Sequence, residues 1–215
     1  MNRYFREPTN GFTHLIGAFL SFIGLLVLVI KTAMDNPSPL SLTAVITFGV
    51  SLMLLYLASS IYHLSIFDEE GIKVLRRIDH AMIFILIAGS YAPFCLISLK
   101  GPIGYILFAL EVLIAVLGIC FKLIWFKCPS WISTAIYVAM GWMAIFLIIP
   151  LYKVLSFNGI LLLVLGGILY TIGALIYNFE PNIIIFKTFQ HHEIFHIFVM
   201  LGSLCHYLCV LLYVV

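Results

Sequence analysis

Seven apolar stretches, each about 20 residues long, constrain this chain more tightly than any motif in it. They lie near 12–30, 42–64, 78–99, 103–123, 131–149, 160–179 and 189–215. At about 1.5 Å of rise per residue, each is long enough as a helix to cross a hydrocarbon core about 30 Å thick. Lipid offers nothing to an unpaired backbone group, so segments of this kind span as helices. The breaks carry turn chemistry: Asp35-Asn36-Pro37-Ser38-Pro39, Lys100-Gly101-Pro102, Cys128-Pro129-Ser130, Asn158-Gly159 and Glu180-Pro181-Asn182. No break is long enough to be a domain. The expectation is a single all-α integral membrane domain over residues 1–215, a seven-transmembrane helix bundle.

Composition excludes the soluble alternatives. A soluble domain carries about 25% charged residues. Here 9% are charged and 64% hydrophobic, with a mean hydropathy of +1.19, which no globular core of this size could hide. No basic patch with interleaved aromatics is present, so nucleic acid is not a partner, and no obligate protein partner is evident. The first apolar run is too long for a cleaved signal peptide and lacks a small-residue cleavage pattern, so it is read as a retained span. None of the five cysteines forms a CxxC, and they read as packing residues.

Orientation follows from the basic residues. Arg3, Arg6, Lys73, Arg76, Arg77, Lys122, Lys127 and Lys187 fall on one side, and Lys31, Lys100 and Lys153 on the other. The N-terminus is expected in the cytoplasm and the C-terminus outside, in a cell membrane.

The polar residues sort by depth under that topology. His192 and His196, in His192-Glu193-Ile194-Phe195-His196, are four apart and share one face at the start of the last helix. Two imidazoles at that spacing can hold one metal ion, or can simply meet water at the interface. His63 ends the second helix, with Ser59 one turn deeper. Asp79 and His80 fall in the first turn of the third helix, which is taken to begin near residue 78. His14 opens the first helix. Four segments thus bring imidazoles and a carboxylate to the cytoplasmic third of the bundle. Three neutral nitrogens with a fourth position left for water suit Zn2+ better than calcium or magnesium.

These residues resemble the progestin and adipoQ receptor family, within it the bacterial hemolysin III-like branch. The resemblance rests on Glu7-Pro8-Thr9-Asn10 with Thr13-His14 and Gly17, on Ser59-Ser60-Ile61-Tyr62-His63, on Asp79-His80-Ala81-Met82-Ile83-Phe84 through Ala88-Gly89-Ser90-Tyr91, and on the last-helix histidine pair. It implies His63, His192 and His196 as zinc ligands. Asp79 would contact the water that completes the shell, and Ser59 would line the same site. It also relates the chain to membrane hydrolases such as alkaline ceramidases. The leading expectation is therefore a zinc-dependent hydrolase of lipid amide or ester bonds, with a membrane lipid as substrate or ligand. The alternatives are a non-enzymatic sensor of membrane state with structural zinc, and a cytolytic hemolysin.

The remaining polar residues have simpler readings. Glu7 and His14 are interfacial or lie beside the metal site. Glu193 suits a helix N-terminus. Asp68-Glu69-Glu70 reads as a solvated loop. Gly166, Gly167 and Gly173 read as close-packing positions. Glu111 lies within the fourth helix and could partner His206 or a hydroxyl.

Overall fold

The computed structural model describes residues 4–35, 37–125, 127–181 and 190–215; all structural statements refer to these. The chain order is α1 (Pro8–Asp35), α2 (Pro39–Leu64), α3 (Glu69–Pro93) running into a π-turn (Phe94–Ser98), α4 (Pro102–Ile124), α5 (Ser130–Trp142), α6 (Ile145–Tyr152), α7 (Phe157–Phe179) and α8 (His191–Tyr213). Helices α5 and α6 share one span, interrupted at Met143 and Ala144, so seven spans are long and apolar enough to cross a membrane. The protein is a multi-pass integral membrane protein.

Local chemistry sets the helix ends. Pro8 and Pro39 occupy first-turn positions, where a missing N–H costs nothing. Ser38, Asp68 and Ser156 cap α2, α3 and α7 through side-chain oxygens that accept from Ser41, Gly71 and Gly159 amides. Glu180, at φ 44°, ends α7 in the left-handed region. Pro93 removes a backbone donor inside the third span, and the chain widens to the π-turn directly after it.

Two helices depart from their expected bounds. Helix α3 starts at Glu69, nine residues before the expected 78, so Asp79 and His80 lie ten residues or more inside it and not in its first turn. Asp68-Glu69-Glu70 is therefore its N-terminus and not a loop. The acidic pair favours the helix dipole, and Lys73 pairs with Glu69 at 3.2 Å and Glu70 at 2.9 Å. Helix α1 likewise begins at Pro8 and ends at Asp35, beyond the expected 12–30. Apolarity marks where a helix meets lipid, and both helices continue past that limit. The expected start of the last span at residue 189 lies outside the described residues.

Burial is inverted relative to a soluble bundle. Ile16, Phe19, Ile23, Leu26 and Ile30 repeat at helical spacing along α1 and are all exposed, a stripe that meets lipid. The core holds Leu28, Phe48, Phe84 and Met140 together with His14, His63, His196 and Glu111. Consecutive helices α1 to α4 pack as neighbours, α8 lies against α7 and α1, and α5 sits between α3 and α7. A cavity of about 1070 Å³ runs inside this arrangement. Its polar residues crowd the end where α1, α3 and α8 begin and α2 ends, called here the N-terminal end.

Candidate metal centre

Helix α2 delivers His63 and helix α8 delivers His192 and His196 to one point. The three side chains each bring a nitrogen within 4.8 Å of the others, so the group could hold a metal ion. His63 and His196 are 1% and 2% exposed, too deep to be surface histidines meeting water. The Nε2 atoms of His63 and His192 face each other at 3.4 Å.

Two of the rings are held from behind. Glu7 accepts a hydrogen bond from His63 Nδ1, and its own backbone N–H donates to the His63 carbonyl at 2.9 Å. That contact assigns the proton of neutral His63 to Nδ1 and leaves the Nε2 lone pair aimed at the cluster. The hydrogen bond from His63 holds the Glu7 carboxyl down at about 2, against the opposing effect of its partial burial. His14 stacks flat on His196, with centroids 3.7 Å apart and planes 10° apart, and meets Tyr56 edge-on.

Glu193 serves the helix end, as the sequence suggested. One oxygen accepts from the Gln190 amide at 2.9 Å, closing a capping box. The other accepts from Asn10 Nδ2 at 3.0 Å and ties α1 to α8.

Ser59 and Asp79 line the same cavity, and Asp79 is close enough to His63 and Ser59 to interact with both. Asp79 is outside the three-histidine group. Residues from α1, α2, α3 and α8 thus meet at one depth, including every residue singled out for the site. His80 also lines this cavity. What the sequence reading left undecided is the layer behind the imidazoles. Glu7, Asn10 and His14 fall at i, i+3 and i+7, a single helical face, and that spacing is the signal that could have joined them.

The pairing of Glu111 with His206 or a hydroxyl does not form among the described residues. Both Glu111 oxygens are buried without a partner among the described residues, and His206 Nε2 meets the Leu163 carbonyl at 3.2 Å. Gly166 and Gly173 sit against His206 and Phe198 as close-packing positions, but a Cβ at Gly167 would meet nothing within 4 Å. Gly167 lines the cavity instead.

A family model described as "Haemolysin-III related" matches residues 2–207. The chain is 40% identical over 208 residues to "Hemolysin-3" of Bacillus cereus, covering 97% of this chain and 91% of that one. It is 41% identical over 209 residues to "Hemolysin-3 homolog" of Bacillus subtilis (strain 168), covering 97% and 94%. More distantly, it is 25% identical over 167 residues to "Monocyte to macrophage differentiation factor" of Homo sapiens, covering 74% and 66%.

Proposed function

The chain belongs to the haemolysin-III-related family, and on that premise we propose that it holds Zn2+ on His63, His192 and His196 and hydrolyses an amide or ester bond of a membrane lipid. One observation carries the metal reading. Ligands about 2.0–2.1 Å from one tetrahedral ion stand about 3.4 Å apart, and the His63 and His192 Nε2 atoms are 3.4 Å apart. His196, which brings a nitrogen within 4.8 Å of the other two, supplies a third donor. An all-imidazole set suits zinc and disfavours calcium and magnesium.

When bound, zinc supplies Lewis acidity, polarising a carbonyl and lowering the pKa of a coordinated water to about 7. The protein's own groups do the rest. Asp79 orients the attacking water and accepts its proton, which requires a carboxylate in reach of the site and outside the ligand set. Ser59 offers a hydroxyl to the same carboxylate and fixes its direction. The apolar walls of the cavity, among them Leu147, Ile148 and Leu151, take the acyl chain and exclude bulk water. The lipid reaches the cavity sideways from the leaflet at the N-terminal end, which the distribution of basic residues assigns to the cytoplasm.

The word hemolysin in the relatives' names does not set this reading. With 9% charged residues the chain has no polar exterior for a water-soluble lytic form. Purified protein should carry close to one zinc per chain and release fatty acid from a lipid amide or ester, and Asp79→Asn should keep the zinc while turnover drops by a factor of about 100 or more. Zinc retained with no turnover on any lipid amide or ester would favour a sensor with structural zinc.

A further inference from the structure

The histidine group comes from α2 and α8. The part of the cavity wall built by α3, α4 and α5 is cationic. Arg76 from α3, Lys122 from the last turn of α4 and Lys127 from the loop after it all line the cavity. Arg76 and Lys122 lie within electrostatic reach of the His80 ring, as do His63 and His192, so the cationic wall adjoins the histidine group. Arg76, Lys127 and Ser130, in the first turn of α5, are exposed as well as cavity-lining, so an entering anion can touch them. Lys122 is 4% exposed. Its ammonium donates to Cys128 Sγ at 3.6 Å, and that sulfur meets Ser133 Oγ at 3.3 Å. These contacts fix where the Lys122 charge sits.

The sequence accounts for the sign of this wall. No Asp or Glu occurs between Glu111 and Glu180, so the end of α4 and the start of α5 carry lysine without acid. The carboxylates that line the cavity come from other helices. Glu7 is engaged by His63 and Arg6, and Glu193 by the Gln190 amide and Asn10. Asp79, which Arg76 reaches, is the base of the proposed reaction, and Glu180 ends α7. A guanidinium fork and two ammoniums only donate. Their complement is a group with several acceptor oxygens and more than one negative charge. A carboxylate has two oxygens and one charge, whereas a phosphate monoester has three terminal oxygens and about two charges. The wall also stands at the end assigned to the cytoplasmic face, the depth of lipid headgroups.

We propose that Arg76, Lys122 and Lys127 bind the phosphate of a lipid headgroup and so seat a phosphorylated lipid with its amide or ester bond at the three-histidine group. The inference rests on the lipid reading above and narrows it to phospholipids.

The full chain in a maltoside detergent, which carries no phosphate, tests this by displacement of a fluorescent monoacylglycerol. The competitors are an octadecyl glycerol ether, its phosphate monoester and inorganic phosphate; the ether bond keeps the first two from being hydrolysed. The phosphorylated ether should displace the tracer about tenfold better than the plain ether. That advantage should shrink as salt rises, because exposed cations are screened. Lys127→Ala should reduce it, and Lys122→Met/Lys127→Ala should abolish it, with the plain ether binding as in wild type and zinc content unchanged. Lys127 is exposed, so its single variant and the salt series decide the matter even if the double variant does not fold. Equal displacement by the two ethers, or an advantage that neither salt nor Lys127→Ala reduces, would overturn the inference and leave the lipid reading standing. Inorganic phosphate that cancels the advantage at the same concentration as the phosphorylated ether would overturn it too, by making this a site for free phosphate. If neither ether displaces the tracer, the lipid reading falls and this inference with it.

Discussion

The two ends of the cavity both hold buried histidine, yet only one gathers it. At the N-terminal end His14, His63, His192 and His196 come from three helices and touch ring to ring, with a carboxylate and an amide behind them. At the other end His206 is the single imidazole, pinned to a backbone carbonyl. A histidine at membrane depth is a candidate for function by its cost alone. Convergence from separate helices is what makes a set of them a metal site.

The largest effect expected from that contrast is on metal content. His192→Ala/His196→Ala should reduce zinc in purified protein to background, because two of three donors are gone. His206→Leu, prepared identically, should retain the wild-type zinc content. Zinc lost equally in both preparations would mean that the difference between the ends has been misread.

Next in size is the layer behind the ligands. Glu7→Ala should weaken zinc binding by about 10- to 100-fold, and Glu7→Gln by less, because the amide oxygen can still accept from His63 Nδ1. The pH dependence has a definite sign. A depressed carboxyl contributes stability above its unfolded value near 4.5 and loses it only as pH falls through about 2. Between about pH 5 and 8 the carboxylate stays charged. Competition with a chelator should therefore show the same Glu7→Gln penalty across that range. A penalty that vanishes toward pH 5 would assign Glu7 a titrating role.

Much of this was legible in the sequence, for reasons particular residues make clear. Spans were readable because lipid demands continuous apolarity, and the three-histidine group because histidine is so rare within it. The His192/His196 spacing fixed one face, and topology alone carried His63 and Asp79 to the same depth. The amphipathic start of α3 was not readable from hydropathy. Glu69, Glu70 and Lys73 stabilise a helix outside the apolar limit through capping and charge pairs, which an apolar window does not register. The Glu7–His63 contact was hidden because it joins residues 56 apart across two helices. The cavity was hidden because emptiness beside Gly167 and close packing beside Gly166 look alike as letters.

That pair of adjacent glycines gives the finest test of how the two ends differ. Gly166 faces His206, and an added Cβ would overlap the ring and force it off the Leu163 carbonyl. Gly166→Ala should therefore destabilise the protein by about 1–3 kcal/mol, the usual cost of overpacking a tight contact. Gly167 is one residue on, so its face is turned toward the cavity, and its Cβ would meet nothing within 4 Å. Gly167→Ala should be neutral or stabilising by up to about 1 kcal/mol, since alanine is the better helix former and nothing opposes it. Neither change should alter zinc content, because neither residue belongs to the three-histidine group. Thermal unfolding in detergent, read beside metal analysis of the same samples, makes the comparison directly. The coupling can be isolated by combining Gly166→Ala with His206→Ala, which removes the ring the new methyl would strike. If the double variant recovers most of the loss, the penalty arises from that one contact. If it does not, Gly166 is required for helix packing at large, and the seat drawn here for His206 is not what the glycine is there to provide.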